Sequence, residues 1–91
     1  MILMRLDKFL KVSRLIKRRS LAKKVADQGR IKINDSVAKA SSKLAVGDDV
    51  EITFGQTIVT VNVKELKDHV LKDEATSLYT VIKEERLPLK E

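Results

Sequence analysis

A chain of 91 residues and 10.3 kDa has room for one small domain, and with 43% apolar residues but only Phe9, Phe54 and Tyr79 aromatic, its core must be aliphatic and thin. The absence of cysteine and the single histidine, His69, leave out disulfides, thiolate metal sites and thiol catalysis; with no apolar run near the roughly 20 residues of a membrane helix, the chain reads as soluble and cytoplasmic. The net charge of +6 divides unevenly, because residues 1–47 carry 13 Lys/Arg against 3 Asp, a balance of +10, while residues 48–91 carry 6 against 10 acids, a balance of −4.

Met1 to Leu3 precede any pattern and are expected to be a frayed tail. Leu6, Phe9, Leu10 and Ser13 then fall on one side of a helical wheel, with Arg5, Asp7, Lys8, Lys11 and Arg14 on the other, which predicts an amphipathic helix with a cationic outer face. Lys17-Arg18-Arg19 leads to Ser20, a good N-cap for a second helix whose apolar stripe is Leu21, Ala22, Val25 and Ala26 and whose stop is Gly29. The period then changes. Ile31-Lys32-Ile33 alternates, Asn34-Asp35 is turn chemistry that tolerates positive φ, and Val37 opens a short return. After the polar connection 39–43 and a turn at Val46-Gly47-Asp48-Asp49, a half-buried strand is expected through Val50, Ile52 and Phe54. Gly55-Gln56 turns it into a second strand over 57–64 with Val59, Val61 and Val63 on one face. Residues 66–77 are charged and weakly periodic, 78–82 read as a last strand, and 83–91 as a loose tail.

These elements predict an α+β fold: two N-terminal helices packed on a small, mainly antiparallel sheet of about five strands. The expected core is Leu6, Phe9, Leu10, Leu21, Val25, Ile31, Ile33, Val50, Ile52 and Val61. Residues 4–82 form its single domain.

A basic half in a chain of pI ≈ 9.7 points to a polyanionic partner, because Lys and Arg contacts to phosphates release counterions. Arg5, Lys8 and Arg14 on the first helix and Lys17, Arg18 and Arg19 in the turn can converge on a phosphate-rich groove, Arg gripping as a planar fork and Lys as a point charge. A solvated helix surface is the plainer alternative. Asp7 in such a face should repel phosphate unless it orients Arg5 or Lys11 or accepts from a ribose hydroxyl; a structural ion pair, or a first-turn charge complementing the helix dipole, explains it equally well. His69 lacks a partner pattern for catalysis and is expected to be exposed.

The series Arg5-Leu6-Asp7-Lys8-Phe9-Leu10, Ser13-Arg14, Arg19-Ser20-Leu21-Ala22, Gly29-Arg30-Ile31-Lys32-Ile33-Asn34 and Val46-Gly47-Asp48 resembles the S-four RNA-binding domain over about residues 4–54. No length remains for an appended catalytic domain, so the resemblance is to stand-alone members: the fifteen-kilodalton heat-shock ribosome-binding protein and, more closely, ribosome-associated quality-control factors of the RqcP type. The latter likeness rests on the string from Met4 to Arg19, on Phe54-Gly55-Gln56, and on Tyr79 ahead of Lys83-Glu84-Glu85.

The resemblance implies a non-catalytic protein, without metal or cofactor, that binds an obstructed large ribosomal subunit. Its implied partners are large-subunit rRNA, a peptidyl-tRNA in the P-site and an RqcH-type tailing factor; no membrane partner and a monomer are expected. It also tips Asp7 toward the RNA site and adds Lys39, which with Ser41 matches a basic-Ser segment after the hairpin, to Arg5, Lys8, Arg14, Lys17, Arg18 and Arg19. Rescue of a stalled peptidyl-tRNA in the heat-shock manner is the alternative function. A DNA-binding regulator is a further one, disfavoured because the basic face lies on the first helix and the turn rather than on a recognition helix.

Overall fold

The computed structural model describes residues 3–86. Its elements in order are β1 (Met4–Arg5), α1 (Leu6–Val12), α2 (Arg19–Asp27), β2 (Ile31–Ile33), β3 (Ser36–Val37), β4 (Lys43–Leu44), β5 (Asp49–Phe54), β6 (Thr57–Val63), a 3₁₀ helix (Lys72–Leu78) and β7 (Tyr79–Arg86). The fold is α+β, with a five-stranded antiparallel sheet ordered β3-β2-β5-β6-β7. A two-stranded ribbon, β1 with β4, stands apart from it.

Alternation decides which side of the sheet is buried. Ile31 faces Ile52, Ile33 faces Val50, and Val50 faces Val61, so one side is continuously aliphatic. Against it pack Leu6, Phe9 and Leu10 of α1 and Ala22 and Ala26 of α2, all at most 1% exposed. Ser13, the polar member of the α1 stripe, is buried too, and its hydroxyl donates to the Leu10 carbonyl at 3.3 Å.

Several expectations are corrected in detail. Leu21 is 49% exposed, and Val25 and Ile33 are only partly buried. The small residues Ala22 and Ala26 face the core, and Leu21, turned about 100° from Ala22 on the helix, is carried to the rim. Ser20 caps nothing: the first helical bond runs from the Ala22 N–H to the Arg18 carbonyl at 3.0 Å, making Arg18 the N-cap. Gly29 does end α2, at φ +76, with the Arg30 N–H bonded to the Val25 carbonyl and the Gly29 N–H to that of Ala26, the Schellman arrangement. The last strand runs on to Arg86, with Lys83 opposite Thr60 and Arg86 opposite Thr57, so residues 83–86 belong to the sheet. Residues 87–91 of the expected tail, and Met1 and Ile2, lie outside the described residues.

The connection after β3 is not a plain loop. Ala38, Ala40 and Leu44 are buried, the Leu6 N–H donates to the Ser42 carbonyl at 2.8 Å, and the Asp7 N–H to that of Ala40 at 3.1 Å. Residues 38–44 therefore wrap the N-terminus of α1 and satisfy its first two amides, as a side-chain cap would elsewhere.

Candidate RNA interface

Asp7 organises the site. Its side chain is 4% exposed, and its oxygens take a forked pair of bonds from Arg5: Nε to Oδ1 and Nη2 to Oδ2, both at 3.2 Å. Arg19 arrives from the first turn of α2, with Nε 3.4 Å from Oδ2 and Nη2 3.5 Å from Oδ1. The Lys8 backbone N–H donates to Oδ1 at 2.8 Å. Burial pushes the Asp7 carboxyl up, but the hydrogen bonds and charges of Arg19 and Arg5 outweigh it and hold the group below its ordinary 3.8.

One buried carboxylate thus sets two guanidiniums side by side, each still nearly half exposed. Two free arginines would repel and disperse, whereas these are held in place by Nε and Nη2 on Asp7, with the rest of each guanidinium partly exposed. A planar fork held this way suits a phosphate or a base edge. Asp7 is accordingly in the site but not on its surface: its ion-pair role is realised, and direct contact with a ribose hydroxyl is not available to it.

The cations border two adjoining hollows. The first, of about 520 Å³, is lined by Lys8, Lys11, Arg14, Lys17 and Arg19 together with Asp68, His69 and two valines. The second, of about 460 Å³, has Arg5, Lys8, Arg19 and Lys43 over Leu3, Met4 and Leu66, and shares Asp68 with the first. Arg14 reaches its place through backbone geometry: it sits just past α1 at φ +62, a left-handed position usual for glycine, with its N–H on the Lys11 carbonyl at 3.0 Å.

Of the residues expected from the sequence, Arg5, Lys8, Arg14, Lys17 and Arg19 meet around these hollows. Arg18 and Lys39 line neither. Arg18 is exposed at the N-cap of α2, and the Lys39 N–H bonds the Ser42 hydroxyl at 2.9 Å, a turn contact that involves Ser42 rather than Ser41. Lys43 was hidden because its place depends on β1 pairing with β4, two strands of two residues each. Asp68 and His69 also went unforeseen. They come from the charged segment after β6, Asp68 lying 60 positions from Lys8, where no periodicity marks a partner. His69 is exposed as expected, yet it stands in the groove wall.

A short α+β domain that gathers a helix, a basic turn and a second helix around a cationic groove is an RNA-binding module of the S-four class, and the model of the S4 domain matches residues 4–50. The whole chain has closer kin. It is 66% identical over 84 residues to the RQC P-site tRNA stabilizing factor of Bacillus subtilis, covering 92% of this chain and 98% of that one. It is 55% identical to the protein of the same name from Streptococcus pneumoniae, covering 92% and 96%. Among solved structures, the trimeric Heat Shock Protein 15 of Vibrio cholerae is similar at a TM-score of 0.81 and 30% identity, covering 88% of this chain and 82% of that one. The chain belongs to the family of RQC P-site tRNA stabilizing factors.

Proposed function

We infer that this protein binds an obstructed large ribosomal subunit through its rRNA and its peptidyl-tRNA, and holds that tRNA in the P-site while an RqcH-type factor supports template-free alanine tailing of the stalled chain. The observation that carries this reading is the Arg5–Asp7–Arg19 assembly on a cationic groove, in a chain 66% identical to a factor named for stabilizing P-site tRNA. Its role is positional. The ribosome's own peptidyl-transferase centre makes the bonds, so the protein needs affinity and orientation but no reacting group. Such a factor works in the cytoplasm, as a monomer.

Arg5, Lys8, Arg14, Lys17 and Arg19 are the contacting residues in this reading, with Arg18 and Lys39 as outlying cations and Asp7 as the residue that positions the two arginines. Tagged protein purified from its host, with half the lysate treated with RNase, tests it. Large-subunit RNA, tRNA and a tailing factor are expected to co-purify and to be lost after RNase or on Arg5→Glu or Arg19→Glu. Retention of subunits by folded charge-reversed variants would refute the site, and recovery of DNA or small-subunit RNA would refute the function.

A further inference from the structure

Asp68 places a negative charge in the middle of a cationic surface, and the fold has little need of it there. It lies between β6 and the 3₁₀ helix, its side chain is 75% exposed, and its Oδ1 accepts from Lys8 Nζ at 2.6 Å. With Lys8 and Arg19 it is common to both hollows. An ion pair this exposed contributes little to folding.

We propose that Asp68 is a specificity-determining residue of the groove, a carboxylate that holds the phosphate position at Lys8 and yields it only to an RNA that engages the surrounding arginines as well. The proposal rests on the RNA-binding reading above. A phosphate approaching Lys8 meets both an occupied donor and a like charge. A generic polyanion, held by counterion release alone, gains no compensating contact. An RNA whose phosphates also reach Arg5 and Arg19 on one side and Arg14 and Lys17 on the other has further bonds to offset the displacement. Discrimination is a difference of affinities, and a repulsive element widens it.

The contrast with Asp7 separates this role from a positioning one. Asp7 is buried and fixes two planar forks through both oxygens, whereas Asp68 is exposed and makes one bond to an ammonium on a flexible stem. The Lys8 hydrogen bond and charge hold the Asp68 carboxyl below the usual range, so it is anionic at neutral pH.

The test compares wild type, Asp68→Asn, Lys8→Ala and the double variant of the full chain at one fixed salt concentration. The probes are purified large ribosomal subunits carrying P-site tRNA and a random-sequence RNA duplex. Asp68→Asn is expected to melt like wild type and to bind the random duplex about two- to fivefold more tightly, the range one exposed charge pair commands. Its gain on subunits is expected to be smaller, and the gain on the duplex to vanish in the Lys8→Ala background. Unchanged or weaker duplex binding, equal gains on both probes, or a gain that persists without Lys8 would overturn the proposal. A wild-type protein that binds neither probe would overturn the RNA-binding reading itself, and this proposal with it.

Discussion

Arg5 and Arg19, fourteen positions apart in the chain, lie against the same buried carboxylate, each placing Nε within 3.4 Å of an Asp7 oxygen. The contact links the start of α1 to the start of α2, so the geometry of the groove and the packing of the two helices depend on one side chain.

Asp7→Asn is therefore expected to affect fold and binding together. It keeps the shape but removes the charge that reconciles two guanidiniums. Because both arginines remain partly hydrated, the expected loss of stability is about 1 to 3 kcal/mol by urea unfolding. Binding to large subunits should weaken in parallel. An unchanged urea midpoint would show that the pair does not brace the helices.

The same carboxylate gives a pH signature. Its native value is depressed below 3.8, so its contribution is complete above that unfolded value and is lost as pH falls through the lower native one. The difference in urea midpoint between wild type and Asp7→Asn is expected to be constant from neutral pH down to about pH 5, and to shrink steadily below about pH 4. A difference that grows on acidification would contradict the assigned sign.

Arg14→Gly separates fold from function. At φ +62 an arginine carries backbone strain that glycine does not, so the variant should be as stable as wild type or gain up to about 1 kcal/mol. It should nevertheless bind RNA less tightly, with the slope of log K against log salt reduced by about one. Loss of stability would mean that the Arg14 side chain packs as well as charges the groove.

Leu10→Ala and Leu21→Ala test the facing of the helices. Leu10 is fully buried, and its truncation is expected to cost about 2 to 5 kcal/mol. Leu21 is 49% exposed, and its truncation should stay within about 0.5 kcal/mol. Thermal melts of the pair decide the matter, and equal losses would restore Leu21 to the core.

Local periodicity made most of this architecture readable. Leu6, Phe9 and Leu10 announce their face at helical spacing, Asn34 and Asp35 take φ values of 50 and 70 in the turn their chemistry favours, and Val50, Ile52 and Val61 alternate into the core. What escaped is what long-range placement decides. Leu21 and Ala22 look alike on a stripe until the partner helix selects the smaller residue for close approach. Ser20 has capping chemistry, but the bond to the Arg18 carbonyl starts α2 earlier. In the site, the cations were legible because they crowd two helix faces and a turn. Asp7's neighbours Arg5 and Lys8 are local, yet its tie to Arg19 needs the helix pair, and Lys43 and Asp68 need the ribbon and the segment beyond β6. No short window contains those contacts.

The β1–β4 ribbon, with Met4 opposite Leu44 and Arg5 opposite Lys43, ties the start of the chain to its middle. During synthesis the two basic helices leave the ribosome first, but Arg5 has no strand to lie against until Lys43 and Leu44 have followed, and the aliphatic floor waits for Val61 and Val63. A nascent chain consequently passes through a stage with most of its positive charge and no ordered groove. Contacts of such sequence separation slow folding, so the competent surface is formed late and as a unit, and a prematurely ended chain carries the charge without the shape.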